Sequence, residues 1–373
     1  MKLTVDAGVL LDQVQAVMPA IAARTTKPVL SSIHVRAEGD TLSVSATDNE
    51  VAVTRTALSA SIQQSGVACL APGRLVGILR ELDGEVAVSA DGGGVTVRHG
   101  KKDRWELPGE NPDEFPAVPE PGLDCAQLTL TAGELRRLFR STIYAAPRKE
   151  TAARFTVSLA RWEVEDGVLR VICTDTRRLA VASATLAGAA VPAECATPVV
   201  AMVPLKFVST LERNLGDDGE EVTLHVSKNE VWAATATTRV WGRQAVGTFP
   251  PWRKIIPAKF TGSLSVPAEE LAKVVRQAAV TSDDERKRVE VQIKGGLMTL
   301  AAAGPESGKS EVEFAVQHDG DVSFAVDPQY LLEALKAYSG QTVQLHWIDG
   351  GKPLLVSADA ETRCLVMPME MEK

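Results

Sequence analysis

Residues 248–257 read TFPPWRKIIP, and residues 114–119 read EFPAVP. Both phrases set Phe-Pro ahead of a further proline. Proline fixes its own φ and has no N–H to give to a sheet ladder. Each phrase therefore predicts an extended segment that leaves one compact unit and enters the next. Two such linkers imply three units, and the helical periodicity around them agrees. DAGVLLDQVQAVMPAI (6–21), TAGELRRLFRSTIYAA (131–146) and PAEELAKVVRQAAVTS (267–282) each open on a polar or proline cap signal. Each then places apolar residues at i, i+3, i+4 and i+7. Leu10 to Leu135 spans 125 residues, and Leu135 to Leu271 spans 136.

A second helical set follows the first: PGRLVGILREL (72–82), PLKFVSTLERNL (204–215) and DPQYLLEALKAY (327–338). All three carry proline at or near the first turn, where its missing N–H costs nothing. Elsewhere the pattern changes to period two. GDTLSVSATD (39–48) and GVLRVICTD (167–175) are matching strands that both end in Thr-Asp, 127 residues apart. GEVAVSADGGGVTVRHG (84–100) reads strand, Asp-Gly turn, strand. EVTLHVSKNEVWAATA and TVQLHWIDGGKPLLVSA repeat that hairpin. The chain is thus expected to hold three homologous α+β domains at 1–119, 120–250 and 251–373. Similar domains in head-to-tail series make heterologous contacts, which run on as a filament or close into a ring. Sheets joined edge to edge around a ring also hide their open edges.

Composition narrows the class. A chain of 373 residues, 45% apolar and 24% charged, is ordinary for a soluble globular protein. No stretch approaches the roughly 18 uninterrupted apolar residues of a membrane span. MKLTVDAGVLLDQV, at the start, lacks a signal peptide's apolar run and cleavage site. Cysteines 69, 125, 173, 195 and 364 are odd in number and scattered, without Cys-x-x-Cys. That predicts reduced thiols in the cytoplasm rather than a disulfide framework or a zinc site.

Nothing in the sequence supports catalysis, a metal or a cofactor. GPESGKS (304–310) is one residue short of a phosphate-binding P-loop, and EVEFAV after it alternates as a strand, so it reads as a hairpin loop. DGGGV (91–95) sits between strands and reads as a turn. The histidines show no His-x-x-x-His pairing, and Asp283, Asp284 and Glu285 beside RKR read as a solvated loop rather than a cation site. No Gly-x-Ser-x-Gly elbow is present. Charge sorted by element says more than the net −8. The helical stretches carry Arg74, Arg80, Arg136, Arg137, Arg140, Lys206, Arg213, Lys273, Arg276 and Lys336 against fewer acids. A mildly basic helical surface on an acidic protein suits a polyanion facing it. No aromatic is interleaved among these cations, which favours sequence-blind contact with duplex phosphates over stacking on single strands.

Five segments, RTTKPVLSSIHV (24–35), TDTRRLAVAS (174–183), FPPWRKIIP (249–257), YLLEALKAY (330–338) and CLVMPMEM (364–371), together resemble the bacterial replicative sliding clamps, the beta subunits of DNA polymerase III. The resemblance covers the whole chain. It implies a homodimer of three-domain chains joined head to tail as a ring, with helices lining a central hole and antiparallel sheets outside. Such a ring encircles duplex DNA without reading sequence. It tethers the polymerase III catalytic subunit, the clamp loader and other proteins bearing a clamp-binding motif. By the same resemblance, Arg24, Arg74, Arg80, Arg137, Arg148 and Lys149 face DNA. A partner-peptide groove is implied at Val157, Thr174, Thr176, Arg177, Arg178, Leu179, Pro250, Lys254, Ile255, Pro353, Val366, Met367, Pro368 and Met369. Trp105, Leu107 and Val280 are implied at the dimer interface. The sequence departs from the family where Thr176 and Arg177 replace a frequent Gly-His pair, and where Glu370 stands for a common basic residue. An enzyme or small-ligand binder on tandem α+β domains is the alternative.

Overall fold

The computed structural model describes residues 1–373 except 58–59, 92, 123–124, 148–158, 192–197, 283–286 and 372–373. Six α-helices stand among the described residues: α1 Ala7–Val17, α2 Pro72–Leu79, α3 Ala132–Arg140, α4 Leu205–Asn214, α5 Ala268–Ala279 and α6 Pro328–Ala337. Their starts follow the cap signals. Asp6 Oδ1 accepts the Gly8 and Val9 N–H groups at 2.9 and 3.2 Å. At α3, Glu134 Oε2 accepts the Thr131 N–H at 2.7 Å while Thr131 Oγ1 accepts the Glu134 N–H at 3.2 Å, a reciprocal capping box. Two helices stop earlier than their periodicity predicts. The 6–21 pattern ends at Val17 and passes to a 3-10 turn, Met18–Ala20. Pro19 lacks an N–H and would clash with the carbonyl four residues back. The 131–146 pattern ends at Arg140, beyond which the Thr142 hydroxyl donates back to the Leu138 carbonyl at 2.7 Å.

The chain divides into two compact units. One holds the described residues of Met1–Leu135, Leu186–Ala196 and Val203–Ala245. Its fourteen strands form one sheet, running from Gly188–Ala190 at one edge to Ser61–Gln64 at the other. The sheet is joined midway by Thr238–Arg243 pairing antiparallel with Val51–Ala57, in register Trp241↔Ala52. A strand from the second predicted domain thereby completes the edge of the first. Strand Asp103–Glu110 pairs along its length with Gly94–His99 but meets Gly66–Leu70 only through Glu110↔Cys69 and Gly109↔Leu70. Residues 103–108 therefore keep one edge open.

The other unit holds the described residues of Arg136–Thr185, Thr197–Met202 and Val246–Lys373. Its nine-stranded sheet is joined by Arg178–Thr185 against Thr362–Val366, in register Leu179↔Leu365 and Val181↔Arg363. A four-stranded sheet ends on Gly308–Ala315, whose outer edge has no ladder partner among the described residues. Phe139, Trp162, Tyr338 and Trp347 are among the largest fully buried side chains of this unit.

One turn recurs three times. Asp48, Asp175 and Asp359 each use Oδ1 to accept the N–H groups two and three residues ahead, at 2.7–3.0 Å. In the first two, the preceding threonine donates its hydroxyl across the turn, Thr47 to the Val51 carbonyl at 3.0 Å and Thr174 to the Arg178 carbonyl at 2.6 Å. The Thr-Asp pair of the sequence is thus a turn lock. It forces the next residue left-handed: Asn49 has φ 73° and Thr176 has φ 75°. No helix among the described residues is long and apolar enough to cross a membrane.

Candidate functional site

The second junction carries a cleft of about 130 Å³ lined by Thr174, Thr176, Arg178, Leu179, Pro250, Ile255, Leu365 and Met367. Three remote segments build it. The locked turn and strand 174–179 form one wall, the linker phrase gives Pro250 and Ile255, and the last strand brings Leu365 and Met367. Seven of those eight residues were predicted from the sequence. Leu365 is not among the groove residues the resemblance implies, and Val366, which is, lies fully buried in the core. Side chains alternate across a strand, so Val366 and Leu365 cannot face the same way. Counting that alternation from Cys364, an inward-facing core residue, would have found Leu365. Lys254 is exposed in the 3-10 turn Trp252–Lys254, Arg177 is exposed in the locked turn, and Pro353, Pro368 and Met369 are half-buried outside this cleft. Val157 lies outside the described residues.

The chain's end is held in place. Pro368 takes it out of the ladder, yet the Met367 N–H donates to the Arg177 carbonyl at 2.9 Å and the Met369 N–H to the Ala325 carbonyl at 2.7 Å. Beneath the cleft, Arg178 is 4% exposed and bonds to Asp175 Oδ2 at 3.0 Å and to Glu333 of α6. Its guanidinium also lies 4.6 Å over the Tyr330 ring. Burial disfavours the cation, but the hydrogen bonds and charges of Glu333 and Asp175 outweigh it and raise the guanidinium above its ordinary pKa. Arg178 is a fixed charge in the floor.

The linker is pinned by a buried carboxylate. Glu163 is fully buried, with Oε1 accepting from Trp252 Nε1 at 3.0 Å and from Arg161, and Oε2 2.6 Å from Arg253 Nη1. Burial pushes its carboxyl up, yet the bonds from Trp252 and Arg161 and the charges of Arg161 and Arg253 bring it below the usual value. Arg253 stacks over Trp252 at 4.4 Å. Pro250 and Ile255 flank this anchored turn, so the cleft's outer wall is rigid.

The matching place at the first junction is filled. The repeated turn aligns Asp48 with Asp175, hence Ala52 with Leu179, and their cross-strand partners Trp241 with Leu365. Trp241, Trp232, Cys125 and Ala52 form one buried cluster with Val118 packed against it. Trp232 Nε1 donates to the Pro119 carbonyl at 3.2 Å, which fastens the first linker down.

Of the residues predicted to face DNA, Arg24, Arg74 and Arg80 are exposed. Arg137 is engaged within its own unit, donating to the Ser183 carbonyl at 2.8 Å and pairing with Glu361 at 3.0 Å. Arg148, Lys149 and the Asp283–Glu285 run lie outside the described residues. Trp105 is half-buried, Leu107 is 8% exposed and Val280 is 78% exposed just past α5. No group of His, Cys, Asp and Glu able to hold a metal occurs among the described residues.

Tandem α+β domains fused by edge-strand pairing, with an apolar cleft at the second junction, are the architecture of the DNA sliding-clamp class. Family models agree: DNA polymerase III beta subunit N-terminal domain matches residues 1–119, its central domain 129–251 and its C-terminal domain 253–372. The chain belongs to the DNA polymerase III beta-subunit family. It is 28% identical to the beta sliding clamp of Caulobacter vibrioides and 27% to that of Proteus mirabilis, with 100% of each chain covered. The crystal structure of the Bacillus subtilis clamp superposes with a TM-score of 0.92 at 24% identity, covering 100% of both chains. The Pseudomonas aeruginosa subunit gives 0.90 at 24%, covering 99% of this chain and 100% of its own. The family is that of a polymerase processivity factor, non-catalytic, and the enzyme alternative has no support.

Proposed function

We propose that two copies of this chain close head to tail around duplex DNA, and that replication partners dock in the cleft at 174–179, 250–255 and 365–367. The observation that carries the docking assignment is the cleft itself, an apolar slot assembled from three segments remote in sequence. Methionine at 367 suits it, because a flexible, polarizable side chain accepts several partners. For ring closure, the supporting features are the open edges at 103–108 and at Gly308–Ala315, with Trp105 beside one and Val280 exposed near the other. Exposed Arg24, Arg74 and Arg80 supply phosphate contacts without base readout. The domain limits 1–119, 120–250 and 251–373 fit this reading. A cytoplasmic setting suits the thiols: Cys69, Cys125, Cys173 and Cys364 are buried and not disulfide-bonded, and burial pushes Cys69 and Cys173 up to about 12.

The test is truncation. Deleting Met367 to Lys373 removes Met367 from the cleft wall together with the two backbone anchors, and should abolish binding of a Gln-Leu-x-Leu-Phe peptide in a fluorescence titration. The dimer should survive. Unchanged affinity would move the docking site elsewhere. Retention on nicked circular DNA, with loss once that DNA is linearised, tests the topological hold.

A further inference from the structure

A second cleft of about 270 Å³ adjoins the first, lined by Arg170, Val181, Ser183, Trp252, Ile256, Ala360, Glu361 and Arg363. Strand register places the two clefts end to end. Thr174, Leu179 and Leu365 lie in one row across the sheet, and the next row on the same face is Ile172, Val181 and Arg363. The row after that opens with Arg170 opposite Ser183. One anchored turn covers both places, Pro250 and Ile255 over the first, Trp252 and Ile256 over the second.

The chemistry changes along this track. The first cleft is apolar except for its threonines and the buried Arg178. The second sets two guanidiniums around an apolar floor. Arg363 is exposed and its side chain makes no ion pair or hydrogen bond among the described residues, and Arg170 reaches Glu165 only at 3.4 Å. The one carboxylate in the cleft, Glu361, is already held by Arg137 at 3.0 Å. Neither arginine is needed to satisfy a buried acid there, so the cleft has an excess of positive charge turned toward whatever enters it.

We infer that this second cleft is the basic end of a single docking track, and that it takes acidic residues flanking the peptide core seated in the first cleft. The inference rests on the docking reading above. Two residues of strand advance about 6.8 Å, and an extended peptide covers about 3.4 Å per residue. The acids should therefore lie within about two or three residues of the core motif. They would select among partners that share the same apolar core.

The experiment uses the full-length chain and fluorescence anisotropy. The probes are a Gln-Leu-x-Leu-Phe peptide, versions extended at either end by Asp-Glu-Asp, and neutral twins extended by Asn-Gln-Asn. One of the two acidic peptides should bind about three- to tenfold tighter than its twin, the range for one or two partly exposed charge pairs. The gain should shrink as salt rises. Arg363→Ala and Arg170→Ala should each reduce it while leaving the core peptide's affinity unchanged, and Arg363→Glu should reverse the preference toward a Lys-bearing extension. Equal binding of acidic and neutral twins, or a gain that survives both alanine variants, overturns the inference. If the core peptide itself fails to bind the intact protein, the docking reading falls, and this one with it.

Discussion

Replacing Thr176 by glycine should stabilise the locked turn at the cleft. Thr176 is β-branched and sits at φ 75°, a region that costs a residue with a Cβ about 1–2 kcal/mol. Three of the turn's bonds come from backbone N–H groups and none from the Thr176 side chain: the Thr176 N–H goes to Thr174 Oγ1 at 3.1 Å, and the Arg177 and Arg178 N–H groups go to Asp175 Oδ1 at 2.9 and 3.0 Å. All three survive the change. Glycine forfeits about 0.5–1 kcal/mol to the greater freedom of the unfolded chain, leaving a net gain of about 0.5–1 kcal/mol. Thr176→Ala keeps a Cβ at the strained angle and is the control for losing the side chain alone. Asn49→Gly at the first junction should gain nothing, because asparagine already tolerates that angle. Amide hydrogen exchange at Arg177 and Arg178 reads the turn locally, which matters in a chain of several domains. If glycine protects those amides no better than alanine does, strain at 176 is not a stored cost and the reasoning fails.

Acid should loosen the second linker. The Glu163 carboxyl is depressed below its unfolded value of 4.5, so its contribution is full above that value and lost as pH falls through the folded one. Glu163→Gln should cost about 3 kcal/mol at neutral pH, the low end for a broken buried pair, and should flatten the acid limb of a pH–stability curve. Because Leu107 is already only 8% exposed in the single chain, the cleaner test of dimerisation is Trp105→Glu with Val280→Glu; sedimentation at micromolar concentration should show monomer, and a persistent dimer would relocate the interface. Changing Arg24, Arg74 and Arg80 to Ala should weaken binding equally on unrelated duplexes and flatten the log–log salt dependence by about 0.9 for each phosphate no longer neutralised; a sequence preference would contradict sliding.

Local signals carried far in this chain where they are short-ranged. Asp6, Thr131 with Glu134, and Asp327 announce helix starts because capping is a matter of three residues, and the structure uses each. Thr-Asp announced a strand end, and its meaning as a lock follows from the hydroxyl and carboxylate bonds. Helix ends were less legible, because Pro19 and the Thr142 back-bond override an apolar period that runs on past them. Most cleft residues came from the family resemblance rather than from any local pattern, and Leu365, which that set lacks, follows from strand alternation once Cys364 is known to face inward. The anchor at Glu163 was not legible at all. An acid inside an apolar strand gives no hint of Trp252 and Arg253, nearly ninety residues away.

The two junctions show why the same construction leaves a cleft at the second and not at the first, among the described residues. Both are made the same way, by a strand from the later domain pairing with the strand that follows a locked turn. What differs is side-chain volume at two facing positions. At the first, a small Ala52 faces Trp241, and the indole with Trp232 and Val118 fills the space between sheet and linker. At the second, Leu179 faces Leu365, and a slot remains between them and Pro250 and Ile255. A filled junction gains packing, at roughly 25 cal/mol per Å² of apolar surface buried. An open one forgoes that gain and must be braced otherwise, and the brace here is polar: Glu163 pins the linker above, and Arg178 with Glu333 and Asp175 holds the floor below. The buried ion pairs therefore sit where apolar packing has been withheld, and they hold the slot open without filling it.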